Sequence, residues 1–216
     1  MRERRDPTGR MPYRLYYEEA EIEGIMADEL RGSGYTGGAV DIDAFLENYL
    51  GLVPTFVPLP AGVQGATEFW PDGTAEVRIS TTLSERADAE LGAEHLLRTT
   101  MAHEAAHFLL HRILFLQQSE ALFGGRPSRQ ELCRDVRFTN RYAGEWWEWQ
   151  ANRGMAALLL PKSAVTAVVR EVRTAADQGT IDAELARVFN VSRQAAGYRL
   201  QQLQAAPMPG QVAWSF

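Results

Sequence analysis

Disulfides are the first thing this sequence excludes, because 216 residues contain a single cysteine, Cys133. A bilayer span is missing as well. No apolar run reaches the roughly 18 residues needed to cross a membrane, and the longest stretch is interrupted by His111 and Arg112. The opening Met-Arg-Glu-Arg-Arg lacks the apolar centre of a secretory signal, so the cytoplasm is the expected location, with no membrane partner. Positive charge is short: 22 Lys and Arg stand against 28 Asp and Glu, a net charge of -6. That balance argues against broad binding to a phosphate backbone, and direct nucleic-acid binding is not expected. The four glycines between 31 and 38 lack the GKS or GxGxxG order of a phosphate loop and read as a linker. Repeats and low-complexity tracts are absent too. What remains, 45% hydrophobic and 23% charged, suits a globular protein of one domain or of a domain with a small appendage.

Along the chain, residues 1–12 carry charge, Pro7, Gly9 and Pro12 and read as a loose arm. Apolar positions from Leu15 to Leu30 recur near helical spacing, predicting an amphipathic helix over 13–30 whose acidic residues form its wet face. A second helix is expected over 40–50, with Asp41 as its N-cap. Strand patterns follow at 56–59, 66–70 and 75–80, the last two joined by the turn sequence Pro71-Asp72-Gly73-Thr74, and these predict a small antiparallel sheet. Ser84 can cap a helical stretch reaching about 118, with a break at Gly92. Residues 119–144 form a polar connection with a short helix near 130–136. Helices are then predicted over 145–160, ending at Pro161, and over 163–176, 182–189 and 192–204.

Within the long helical stretch stands Met-Ala-His-Glu-Ala-Ala-His-Phe-Leu-Leu-His-Arg. Its HEAAH matches the HExxH pattern of zinc hydrolases. Residues four apart share a helix face, so His103 and His107 can close on one ion. Glu104, one step around the helix, can reach water on that ion without binding it, the position of a general base. The bland alternative is a buried helix with satisfied core histidines.

A catalytic zinc takes three protein ligands and keeps one open position. His111 lies about 6 Å further along the helix axis, too far to join the first two, so it is expected to pack nearby or hydrogen-bond a neighbour. The HExxHxxGxxH arrangement fails at Leu110 and Ile113, which excludes a metzincin. The third ligand must then come from the helix over 145–160, which offers Glu145 and Glu148. Glu148 is favoured because it begins a stripe with Asn152 and Ala156, suited to close helix contact. Tyr142 and His111 are candidate donors to a developing oxyanion, and a strand edge within 66–80 is a candidate seat for an extended substrate.

MAHEAAHFLLH followed by EWQANRGMAALLLP resembles the two signatures of the ImmA/IrrE family of zincin-like metallopeptidases. The likeness extends over most of the chain, with 20–30, the Val40-Asp41-Ile42-Asp43 start and the small sheet similar to the family's usual preamble. It departs at Ala106, where the family often has Gly, at Gln150, where a second acid is common, and in a longer connection between the motifs. The resemblance implies an α+β, zincin-like fold, mostly helical, with domain boundaries at 13–178, a helix-turn-helix-like segment at 179–206 and a tail at 207–216. Carried over, the family's metal ligands fall on His103, His107 and Glu148, and its catalytic glutamate on Glu104. It further implies one Zn²⁺ per chain, with Mn²⁺ still open, and a zinc endopeptidase that cuts a helix-turn-helix repressor to switch on stress-response or mobile-element genes. The competing reading is a non-catalytic regulatory or antitoxin-like protein that keeps the metal and acts by binding protein or DNA.

Overall fold

The computed structural model of the protein describes residues 2–4, 14–70, 73–121, 130–133, 146–172 and 178–205. In chain order these form β1 (Arg2–Arg4), β2 (Arg14–Tyr16), α1 (Glu19–Gly32) and α2 (Ile42–Ala44), which runs into a π-helical turn (Phe45–Leu50). Then come β3 (Thr55–Val57), β4 (Gly65–Phe69), β5 (Ala75–Ser80), α3 (Thr81–Ala87), α4 (Leu91–Ala121) and β6 (Gln130–Cys133). Finally come α5 (Trp146–Leu159), α6 (Lys162–Val172), α7 (Gln178–Phe189) and α8 (Arg193–Ala205). The fold is α+β and mostly helical, as expected.

The first helix starts later than its apolar spacing suggests. Glu21 accepts the Glu18 backbone N–H at 2.9 Å, a reciprocal cap that sets the start at Glu19. Leu15 lies before that cap, in β2, paired antiparallel with Glu3 of β1, so part of the expected arm is a strand. From α1, Ile22, Met26 and Leu30 enter the core at four-residue spacing. Asp41 caps α2 as expected, accepting from the Ala44 N–H at 3.0 Å.

The sheet is mixed rather than antiparallel, in the order β3-β5-β4-β6. β4 and β5 form the expected hairpin, its ends closed by Trp70 N–H to Thr74 O at 3.0 Å. β4 reverses the chain and β5 reverses it again, so β3, docking on the outer side of β5, runs parallel to it. The strand β6, where a short helix was expected, pairs antiparallel with the other side of β4. Within this sheet β4 and β5 are therefore interior, and the edge proposed from sequence for a substrate is already paired. The helical break falls at 88–90, not at Gly92: Ala89 and Glu90 N–H close back on Arg86 O, and the Glu90 carbonyl then opens α4. The cap expected at Ser84 is likewise absent, since Ser84 lies inside α3.

Sheet and α5 both pack on α4. Ala102, Ala105 and Ala106 of α4 and Ala151 and Met155 of α5 are buried in one core cluster, and the two helices approach closely where Gly154 meets Ala106. At Gly154 a Cβ would lie 2.8 Å from the Ala106 Cβ, which is why glycine stands there. α7 and α8 add Ile181, Leu185, Phe189, Ala195, Ala196 and Leu200 to the same core cluster. Their corner is held by Asn190 in the left-handed region (φ 49°), which Asn tolerates. Its amide donates to Glu94 at 2.9 Å, and its carbonyl accepts from Arg98 Nε at 3.1 Å. Arg199 is buried. It grips the Glu23 carboxylate and donates to Leu160 O at 2.9 Å, tying α8 to α1 and to the end of α5.

Candidate metal centre

The α4 helix carries His103, His107 and His111 up one face, and the α5 crossing brings Glu148 to the first two. His107 Nε2 lies 3.0 Å from His103 Nε2, while the Glu148 carboxylate lies 3.2 Å from His103 Nε2 and 3.6 Å from His107 Nε2. One donor atom from each of the three falls within 4.8 Å of the others. His103 and His107 are buried, and Glu148 is nearly so. Two imidazoles and one carboxylate are the ligand set of several catalytic zinc sites. Among the described residues Glu148 Oε1 is buried without a hydrogen-bond partner, as a carboxylate oxygen fitted to a cation would be. The residues thus fit a divalent metal ion.

Charge at the cluster points the same way. Burial opposes ionisation of Glu148, but the neighbouring His107 and His103 outweigh it and hold the carboxyl well below its ordinary range. Burial likewise opposes charge on His103, and the Glu148 carboxylate overrides it, raising that imidazole above the ordinary value. A cation bound here would take the place of that proton.

Glu104 is buried beside the cluster, and burial raises its pKa, with His103, His107 and Thr67 opposing. Thr67 of β4 donates its hydroxyl to Glu104 Oε2 at 2.6 Å. A Cβ on Gly65 would stand 2.7 Å from Glu104 Oε1 and 2.6 Å from Thr100 Cγ2, so the strand can lie against the carboxylate only with glycine there. Neither Thr67 nor Gly65 was marked by the sequence, where Thr67 looks like an ordinary strand residue and Gly65 lies just outside the strand expected over 66–70. Only the packing of β4 on α4 reveals them.

His111 stands outside the ligand cluster, as its axial rise requires. Its Nδ1 is 3.1 Å from His107 Nδ1 and its Nε2 is 3.0 Å from Gln150 Oε1, while the Gln150 amide donates to Leu15 O at 2.8 Å. Burial, with His107 second, pushes the His111 pKa down to about 3, so this imidazole is neutral. The role suggested for it as an oxyanion donor does not fit, because both ring nitrogens are engaged by these neighbours. Tyr142 and Glu145 lie outside the described residues; among those described, Glu148 is the acid that meets the histidine pair.

No helix among the described residues is long and apolar enough to cross a membrane. No curated protein matches the chain. A family model, the IrrE N-terminal-like domain of peptidase family M78, matches residues 93–201, just over half of the chain, and spans both signature segments. This chain, with its HEAAH pair and Glu148 in one buried cluster, belongs to peptidase family M78 and has a metallopeptidase-type function.

Proposed function

We propose that this protein is a zinc-dependent endopeptidase that hydrolyses a peptide bond in a helix-turn-helix transcriptional repressor, derepressing stress-response or mobile-element genes in the cytoplasm. The observation that carries the catalytic part is the convergence of His103, His107 and Glu148 within 4.8 Å, with a separate buried carboxylate, Glu104, beside them. The repressor as substrate is supported by the ImmA/IrrE resemblance, and the choice of zinc by the two-imidazole, one-carboxylate set.

His103, His107 and Glu148 would hold the ion. A divalent ion so bound supplies Lewis acidity toward water and toward a scissile carbonyl. Glu104 takes a proton from the attacking water and returns it to the leaving amine, as a general base and then an acid. Thr67 holds Oε2 and leaves Oε1 for that transfer. Metal analysis after mild purification is the direct test: about one zinc per chain, lost in His103→Ala, together with metal-dependent cutting of a repressor encoded in the same locus. Manganese in place of zinc would correct the cofactor, and metal-independent cutting would remove the mechanism.

Replacing Thr67 by Val separates positioning from ligation. Glu104 must be ionised to accept a proton, so activity falls at acid pH, and the Thr67 hydroxyl favours the ionised form. The acid limb of kcat in Thr67→Val is therefore expected at higher pH than in wild type, with metal affinity retained. An unmoved limb would show that Thr67 does not hold the reacting carboxylate.

A further inference from the structure

We propose that Leu15 O, Gln150 and His111 form a directional hydrogen-bond chain that fixes the tautomer of His107, making His111 and Gln150 positioning residues of the metal centre. The inference rests on the metal-site reading given above. A backbone carbonyl can only accept, so the Gln150 group facing Leu15 O at 2.8 Å must be its NH₂. The group facing His111 is then the amide oxygen, which obliges His111 Nε2, 3.0 Å away, to carry the proton. On the metal-site reading His107 ligates through Nε2 and so carries its proton on Nδ1, and the atom facing that proton at 3.1 Å, His111 Nδ1, must be the bare acceptor. His107 is left with its lone pair on Nε2, the atom aimed at His103 and Glu148. A carbonyl on β2 thereby decides which nitrogen of His107 can bind a cation.

All four members are buried, so water cannot substitute for a missing partner: His107 is 1% exposed, His111 and Leu15 0%, Gln150 3%. The edge of Trp146 closes the side of His111, with ring centroids 5.7 Å apart at 82°. The arrangement also explains glutamine rather than an acid at 150, because a carboxylate accepts from His111 but has no proton to give Leu15 O. Ligating histidines usually donate their second nitrogen to a carboxylate, a carbonyl or water. Here a neutral histidine takes that place and passes the orientation on.

The test compares wild type, His111→Leu, Gln150→Leu and His103→Ala as full-length chains, reading Zn²⁺ affinity by chelator competition and imidazole tautomers by ¹H–¹⁵N correlation on the metal-free proteins. His111→Leu and Gln150→Leu are expected to bind Zn²⁺ roughly 10- to 100-fold more weakly. In the metal-free wild type, His107 is expected as the Nδ1–H tautomer, a preference lost in His111→Leu. Should either leucine variant fail to fold, the other and the wild-type tautomer still decide. Affinity within twofold of wild type in the leucine variants, or a wild-type His107 protonated on Nε2, overturns the proposal. If His103→Ala loses zinc while the leucine variants keep it, this chain of bonds alone fails. If His103→Ala binds as wild type does, the metal-site reading fails first.

Discussion

Glu104→Gln is expected to abolish peptide hydrolysis, with kcat reduced about 10²- to 10⁴-fold, the range for loss of a general base, while the metal stays bound. Glutamine is nearly isosteric, its oxygen can still accept from Thr67, and Glu104 is not one of the three clustered donors. The fold should not suffer and can gain. Glu104 is buried and its pKa is raised, so ionising it costs the folded state. A raised carboxyl pKa gives stability that is present below the unfolded value and lost as pH climbs through the folded one. The stability advantage of Glu104→Gln in the metal-free protein should therefore be absent at low pH and open as pH rises through the ordinary carboxylate range and beyond. Thermal melts across pH, beside cleavage assays with matched metal content, check both parts. A variant that still derepresses its target genes would favour the non-catalytic binding reading.

Gly154→Val is expected to damage fold and metal centre together. The first added carbon already meets Ala106 Cβ at 2.8 Å, Met26 Cε at 3.1 Å and Leu110 Cδ1 at 3.4 Å, and valine adds two more methyl groups. Overpacking of this kind costs about 1–3 kcal/mol, with valine recovering roughly half a kcal/mol of helix propensity over glycine. The melting temperature should fall by about 2–4 °C for each net kcal/mol in a chain of this size. The clash lies on α5, one and a half turns past Glu148, and a helix yields as a rigid rod. Pushing α5 off α4 carries Glu148 away from His103 and His107, and a displacement of about 0.5 Å is enough to spoil a ligand set. Zinc affinity should fall with stability, while Gly154→Ala, one carbon smaller, should show a lesser loss in both. Full zinc affinity in a destabilised Gly154→Val would mean that the crossing does not place Glu148. The same contact gives Ala106, a departure from the related motif, a physical setting: the small residue at this crossing is on α5, opposite it.

The parts of the site that follow from one helix were legible beforehand. His103, Glu104 and His107 sit where the turn angle of α4 puts them, and the exclusion of His111 from the cluster follows from axial rise alone. Glu148 was favoured over Glu145 on a stripe with Asn152 and Ala156, whereas the close approach of α5 to α4 is at Gly154 against Ala106, off that stripe. Other readings failed where a strand depended on partners distant in sequence. Leu15 fits an amphipathic helix by spacing but pairs with Glu3, and the segment read as a short helix near 130 pairs with β4.

Sequence alone determined that His103 and His107 share a helix face with Glu104 one step around it, and it carried the family signature, because an α-helix converts spacing into direction without help from the rest of the chain. Tertiary structure decided the rest: that Thr67 reaches across 37 positions to Glu104, that Glu148 reaches across 45 to His103, and that a carbonyl 135 positions from Gln150 orients its amide. Those contacts depend on how closely helices and strands pack, which is set by side-chain volume at buried crossings such as Gly65 and Gly154.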